Sequence, residues 1–261
     1  KMAQVAADGL GIPVSLVRVT ATDTQKVPNA SATAASSGAD INGAAINNAC
    51  DQLRGRLAAV AARMLGCTEA DVQLAGGQAT GGGKAVAWAA LVKQAWLDRV
   101  GLGVTGFYMT PDIKYDFMTL QGRAFYYFCY GAAVTEVEVD NRTGEWWLKA
   151  VDIVHDVGRS INPAIDRGQI EGAYIQGMGW LTMEECVWDK KGKLLTHGPS
   201  TYKIPVASDV PEHFKVSLFD GENVKPTPFR SKAVGEPPLM LALSAYFAVR
   251  DAVAANGGYE A

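Results

Sequence analysis

One carboxylate near the end of the chain lies in a tightly constrained stretch of backbone. Glu236 follows Gly235 and precedes Pro237 and Pro238, at the start of an apolar segment. Because proline disfavours the helical region for the residue before it, the sequence predicts an extended backbone at Glu236. A carboxylate aimed in this way suits a general base. The alternative is a helix start, where an acidic residue favours the positive end of the dipole and proline favours the first turn.

A second candidate site is a run of small residues that precedes a long helical pattern. The run consists of Thr33, Ala34, Ala35 and Ser36, and Asp40 is the predicted cap of the helix. The free amides and the dipole of a helix N-terminus favour an anion, and small side chains let a ligand approach the backbone. By composition alone, the same run is also typical of a flexible loop.

The glycine-rich stretch 76–84 departs from the phosphate-binding loop of nucleotide-binding proteins. That motif needs glycine at position 78 and a hydroxyl residue at position 85, where this chain has Gln78 and Ala85. We therefore expect a hairpin or a surface loop here, followed by a helix over residues 88–99.

The apolar periodicity predicts strands and helices that do not alternate regularly. The predicted strands span residues 14–19, 125–140, 146–155, 185–188 and 214–219. The predicted helices lie at the amino end and over residues 40–65 and 88–99, from Asn162-Pro163 onward, and over 238–254. The two longest strands are separated by a short segment containing Gly144, which favours an antiparallel hairpin. A doubly wound sheet would require regular alternation of strand and helix, so the predicted fold class is α+β, with mixed helices and mostly antiparallel hairpins.

Composition and charge argue against two kinds of partner. The 261 residues carry a formal net charge of -3, which gives no basic stripe for nucleic acid. We find no apolar run that approaches the ~20 residues needed to cross a bilayer, and the amino end lacks the apolar core of a signal peptide. The sequence therefore predicts a soluble protein that binds neither nucleic acid nor a membrane.

The cysteines and histidines are too scattered to form a metal-binding pattern. The four cysteines, at positions 50, 67, 129 and 186, show no pair at zinc or iron-sulfur spacing. His155, His197 and His213 are equally dispersed, so we expect no protein side chain to bind a metal. Reduced thiols in a cytoplasmic protein are the expected state of the cysteines.

Five segments, in the same order along the chain, resemble the molybdenum hydroxylases, the family of xanthine dehydrogenase and xanthine oxidase. They are residues 33–36, 105–108, 158–172, 198–205 and 231–238. The resemblance implies the molybdenum cofactor-binding domain of that family. Residues 1–261 would form the carboxy-terminal part of the molybdopterin-binding domain, with two possible subdomains that meet at about residues 100–125. Because a helical pattern starts at Lys1 without a cap, we expect a further segment upstream.

The resemblance also assigns roles to the candidate residues. Glu236 matches the catalytic base of the family, and Thr33, Ala34, Ala35 and Ser36 match contacts to the molybdopterin. Gln169, on the predicted helix after Asn162, matches another contact, since its amide offers two donors and an acceptor to a pterin edge. Seen alone, Gln169 is also consistent with an ordinary helix surface. The pterin dithiolene, rather than a protein side chain, holds the metal in this family.

A departure from the family pattern lies beside the small-residue run. Gly38 stands where some members have serine, which puts one hydroxyl contact to the cofactor in doubt.

The implied cofactors and partners extend beyond this chain. The molybdopterin-molybdenum cofactor would be shared with the upstream half of the molybdenum subunit, so the fragment alone is expected to be inactive. FAD and [2Fe-2S] clusters would lie on other domains or subunits of the parent enzyme. The complex is expected to be a homo-oligomer.

The expected activity is the oxidation of purines, xanthine or hypoxanthine, with oxygen derived from water. Residues 106–108 with Thr110-Pro111, and the aromatic stretch 125–128, resemble xanthine dehydrogenases more than aldehyde oxidases or carbon monoxide dehydrogenases. Two alternatives remain: oxidation of aldehydes or other azaheterocycles by the same family, and a folded structural or dimer-forming module without a cofactor.

Overall fold

The chain folds into two compact units. A computed structural model describes residues 1–21, 23, 25, 32–34 and 36–259. The first unit contains Lys1–Tyr126 and Lys225–Arg230, and the second contains Tyr127–Val224 and Ser231–Ala261.

The first unit is built around one long helix. Its helices are α1 (Met2–Leu10), α2 (Gly38–Leu65) and α3 (Trp88–Leu97). Its strands are β1 (Gln73–Ala75), β2 (Gln78–Gly81), β3 (Lys84–Ala87), β4 (Lys114–Asp116) and β5 (Gln121–Arg123). The core contains Leu57, Val60, Ala61 and Leu65 of α2, Leu74 and Ala79 of the sheet, and Leu91 and Ala95 of α3. Helix α2 confirms the helix predicted over 40–65. Its apolar side chains recur with the 3.6-residue period of a helix, so they share one face, which packs into this core.

The glycine-rich stretch forms the turns of a three-stranded antiparallel sheet. Strands β1, β2 and β3 pair in chain order, and the connections are the pairs 76–77 and 82–83. All four glycines in these pairs have positive φ, between 55° and 78°. Two-residue hairpin turns require such backbone angles, which glycine adopts without strain. The prediction of a hairpin is confirmed.

The second unit packs helices on a three-stranded mixed sheet. Strand β6 (Gly131–Val139) pairs antiparallel with β7 (Trp146–His155), and β7 pairs parallel with β8 (His213–Leu218). Helix α4 (Pro163–Thr182) lies in the crossover that the parallel pair requires. A 3-10 helix (Pro237–Ala242) leads into α5 (Leu243–Asn256). The core contains Val151 and Ile153 of β7, Ile170, Tyr174 and Met178 of α4, and Ala245 of α5.

Several local predictions are wrong although the predicted α+β class is confirmed. Residues Val14–Leu16 form a 3-10 helix, rather than a strand, after Pro13. The strand expected over 185–188 is reduced to a single bridge between Trp188 and Leu194. Helix α2 begins at Gly38 with Ser37 as its N-cap, so the cap expected at Asp40 lies inside the first turn. The two strand predictions are wrong because short apolar runs do not specify their pairing partners.

One helical segment qualifies as a membrane span by length and composition. Pro237–Asn256 has a mean hydropathy of 1.3, and 17% of it is buried. The sequence reading missed it. A single such helix is weak evidence for a membrane, because helices of soluble proteins pass the same test, and this one packs on α4 and β6.

Candidate functional site

Glu236 is the N-cap residue of the 3-10 helix Pro237–Ala242, in the second unit. Its backbone has φ -102° and ψ -38°, so the predicted extended conformation is wrong. Packing overrides the local preference of a residue before proline, which disfavours the helical region without forbidding it. The side chain is exposed and makes no cap hydrogen bond, while its carbonyl oxygen accepts from the Leu239 amide at 3.0 Å. The carboxylate therefore stands at a helix start without serving as the side-chain cap.

Helix α4 packs directly against the backbone of the 3-10 helix that follows Glu236. A Cβ atom added at Gly177 would overlap the Leu239 carbonyl oxygen and lie 2.8 Å from the Ala242 side chain. A Cβ at Gly179 would overlap the ring of Pro205 in the same way. The absence of a side chain at Gly177 lets the 3-10 helix lie directly on α4.

Gln169 lies on an exposed part of α4, in the same unit as Glu236. The helix starts where the sequence predicts, because the Asn162 side chain accepts from the Ile165 amide at 3.2 Å and Pro163 occupies the first turn. Ser160 donates to the buried carboxylate of Asp166 at 2.5 Å, which anchors the loop before the helix. The fold thus places Gln169 and Glu236 on two elements that pack together.

The small-residue run lies in the first unit, immediately before α2. Thr33 and Ala34 are exposed, Ser36 is half-buried with φ of 55°, and Ala35 lies outside the described residues. The Ser37 hydroxyl donates to the Ala34 carbonyl at 2.8 Å, and Ser37 makes no side-chain cap to the helix. The turn therefore offers small exposed side chains beside a helix N-terminus.

This turn fits a polar cofactor that approaches along the backbone. The exposed small residues leave the approach open, and helix amides not capped by Ser37 can donate hydrogen bonds. Asp40, in the first turn, adds a negative charge that favours a neutral, hydrogen-bonding part of a ligand over its phosphate here. Within the described ranges, no three His, Cys, Asp or Glu side chains come together as a metal site.

The glycine at position 38 has a steric explanation. A Cβ atom there would lie 2.8 Å from the Thr33 methyl group, closer than real contacts allow. Serine at this position would therefore require the exposed Thr33 side chain to shift.

Two other resembling segments serve packing in this structure. The Thr105–Phe107 segment lies on α2: a Cβ at Gly106 would overlap the Ala45 carbonyl oxygen, and the Phe107 amide donates to Asn48 at 3.2 Å. In the segment 198–205, the Tyr202 hydroxyl donates to the Glu184 carboxylate at 2.6 Å. That hydrogen bond raises the pKa of Tyr202 to about 12.

An ion pair that the sequence reading missed lies four residues before Glu236. Lys232 binds the Asp156 carboxylate, and their side chains are only 10% and 15% exposed. The ammonium also donates to the Phe128 carbonyl at 3.0 Å and lies 5.7 Å from the centre of the Tyr130 ring. The only sequence signal was that Lys232 falls inside the resembling segment 231–238.

A buried histidine adjoins this pair. His155 is 2% exposed, and its Nδ1 atom makes no hydrogen bond in the structure. Burial lowers the pKa of His155 below 6.5; the Asp156 charge opposes this shift, and the Lys232 charge adds to it. Burial therefore favours the neutral form of the imidazole.

We expect the free energy of unfolding to fall as the pH drops below about 6.5. In that range the unfolded chain binds a proton at His155 while the folded chain keeps the imidazole neutral. The stability contributed by the buried neutral imidazole is therefore fully present above pH 6.5, and it is lost as the pH falls from 6.5 to the lower pKa of the folded state. The slope from one such group is at most about 1.4 kcal/mol per pH unit. Denaturant melts between pH 7 and pH 5 measure it.

His155→Met should lose this part of the slope, whereas substitution of the exposed His197 by glutamine serves as the control. An unchanged slope in His155→Met would contradict the assignment of the acid sensitivity to the buried imidazole.

Comparisons with known proteins agree on one family. The family model for the molybdopterin cofactor-binding domain matches residues 1–211. The chain is 45% identical to xanthine dehydrogenase of Oryza sativa subsp. japonica over 98% of its length, and 45% identical to xanthine dehydrogenase/oxidase of Felis catus over the same share. It spans 18% of each of these relatives.

A solved structure has the same fold. Quinoline 2-oxidoreductase from Pseudomonas putida 86 matches with a TM-score of 0.79 and 28% sequence identity, over 98% of this chain and 32% of that one. The family model, the relatives and the fold together show that this chain belongs to the xanthine dehydrogenase family, as part of its molybdopterin-binding region.

Proposed function

We propose that this chain forms part of a molybdenum hydroxylase that oxidises purines, xanthine or hypoxanthine, with oxygen from water. The identity of 45% to proteins named xanthine dehydrogenase, over nearly the whole chain, is the observation that carries the proposal. Since the chain spans 18% of those relatives, the remaining machinery belongs to the parent enzyme.

The chain would contribute a base and part of a cofactor cradle. When bound, the molybdenum cofactor supplies the redox step and the oxygen-transfer chemistry. Thr33, Ala34, Ala35 and Ser36 would bind the cofactor through backbone and hydroxyl groups, and Gln169 would bind it through its amide. Glu236 would remove a proton as the general base, which typically contributes ~10²–10⁴-fold to a rate.

The geometry supports the role of Glu236 in two ways. Its side chain is exposed, which makes it accessible to a substrate or a nucleophile. Its backbone lies between the Lys232–Asp156 ion pair and the contact of Leu239 with α4, so its position is held from both sides.

The proposal extends to location and partners. We propose that the enzyme is cytoplasmic and homo-oligomeric, and that FAD and [2Fe-2S] clusters on other domains or subunits accept the electrons. None of the four cysteines, all of which lie in the described part of the chain, forms a disulfide, in agreement with a reducing compartment.

A second candidate is hydroxylation of another azaheterocycle. The fold match to quinoline 2-oxidoreductase, at 28% identity, favours it. Purines remain the first choice because the relatives named for xanthine are considerably more similar in sequence.

We expect the purified parent enzyme to contain molybdenum. Its kcat/KM for xanthine should be at least about tenfold above that for quinoline, a difference of ~1.4 kcal/mol in transition-state binding. Elemental analysis and a panel of xanthine, hypoxanthine, quinoline and a simple aldehyde test this directly. Faster turnover of quinoline or the aldehyde would replace the purine assignment. A purified enzyme without molybdenum would favour a structural module.

A further inference from the structure

The segment that carries Glu236 is held by tertiary contacts, although residues 231–236 form no helix or extended strand. Ser231 forms an antiparallel bridge with Gly158, and its carbonyl oxygen accepts from the buried Asn223 side chain at 3.1 Å. The Lys232 amide donates to the Val157 carbonyl at 2.7 Å. Backbone hydrogen bonds therefore tie the start of the segment to the residues that follow β7.

The next residues are tied to the stretch before β6. The Ala233 amide donates to the Tyr127 hydroxyl at 2.8 Å, and the Cys129 thiol donates to the Ala233 carbonyl at 3.2 Å. Val234 is buried in the core of the second unit. Two residues before Glu236, the chain is thus fixed by hydrogen bonds and by apolar packing.

The ion pair between Lys232 and Asp156 joins these two sets of contacts. The Lys232 ammonium binds the Asp156 carboxylate on one side and the Phe128 carbonyl on the other. The other carboxylate oxygen of Asp156 accepts a hydrogen bond from the Gly158 amide at 2.9 Å. The Asp156 amide donates to the backbone carbonyl of Tyr130 at 2.8 Å. One lysine therefore cross-links three separate stretches of backbone beside Glu236.

A buried ion pair is a poor device for stability alone. Desolvation of the two charges offsets much of their attraction, and neutral side chains of similar size are often as stable. A fully hydrogen-bonded pair does provide a defined geometry. Its hydrogen bonds form only when the ammonium, the carboxylate and their neighbours are at the right distances and angles. Base catalysis requires such geometry, since a displacement of ~1 Å can cost about 10²-fold in rate.

We propose that Lys232, through its ion pair with Asp156, is a positioning residue that fixes the backbone leading to Glu236. The inference rests on the proposed function, because it gives the reason for holding that carboxylate. Neither side chain needs to touch the substrate or the cofactor.

Three variants of the cofactor-loaded enzyme test the proposal. Lys232→Met removes the ammonium and leaves Asp156 buried without its cation. The double variant Lys232→Met/Asp156→Asn removes both charges while keeping an acceptor for the Gly158 amide. Lys149→Met, which breaks an exposed pair with Glu212 in the same unit, is the matched control.

We expect the double variant to regain the thermal stability that Lys232→Met loses, while its kcat stays at least about tenfold below normal with little change in KM. Amide hydrogen exchange over residues 231–236 should be faster than normal in both variants. Without the ion pair the segment is less firmly held, so the hydrogen bonds of the Lys232 and Ala233 amides should open more often. Molybdenum content should be unchanged. Lys149→Met should leave kcat and exchange at their normal values.

Normal turnover in the double variant would overturn the proposal, as would reduced turnover with unchanged exchange over residues 231–236. Glu236→Gln, measured in parallel, separates the two levels of inference. If that variant is active, the proposed base is wrong, and the positioning role falls with it. If it is inactive while the Lys232 variants are fully active, only the positioning role is lost.

Discussion

Glu236→Gln should reduce kcat by at least ~10²-fold in the cofactor-loaded enzyme, while molybdenum content and thermal stability stay nearly unchanged. Glutamine has the shape of glutamate but cannot take up a proton, so it removes the chemistry of a general base without removing its bulk. Because the side chain is exposed and glutamine matches its size, we expect the fold to tolerate the change. Steady-state turnover of xanthine, normalised to molybdenum, measures the effect.

The control for this experiment is Glu212→Gln in the same unit. Its side chain is 82% exposed and pairs with Lys149 at the surface, so we expect turnover within about twofold of normal. A Glu236→Gln enzyme that keeps more than about a tenth of normal turnover is incompatible with a general base, whose weakest typical contribution is ~10²-fold.

Gly177→Ala should destabilise the second unit by about 1–3 kcal/mol and reduce turnover by about 10²-fold. The added methyl group would overlap the Leu239 carbonyl oxygen and crowd Ala242, so α4 and the 3-10 helix must separate. Because Leu239 follows Glu236 by three residues, the same separation displaces the carboxylate. Denaturant melts give the stability, and turnover per molybdenum gives the catalytic effect.

Gly172→Ala, on the same helix, provides a matched comparison. A Cβ atom there has no neighbour within 4 Å, and alanine is the better helix former by ~1 kcal/mol. This variant should therefore be as stable as the parent or slightly more stable, with normal turnover. Equal behaviour of the two variants would show that close contact at Gly177 does not govern the position of Glu236.

The sequence alone predicts the features that depend on neighbouring residues. The periodicity of α2 gives its extent to within two residues at its amino end, since one continuous face is buried. The turns of the β1–β3 sheet follow from paired glycines, and the start of α4 follows from Asn162 and Pro163. The sequence also singled out Glu236, and the family was recognised from five short segments.

Tertiary structure decides what depends on distant residues. The parallel pairing of β8 with β7 and the Lys232–Asp156 pair, whose partners lie 76 residues apart, have no local signal. The backbone of Glu236 departs from the preference set by Pro237 because the residues on either side of it are held by packing. A local preference is worth only about 1 kcal/mol, and burial of several apolar side chains outweighs it. The sequence therefore identifies the carboxylate, but the contacts made across the folded chain determine where it is held.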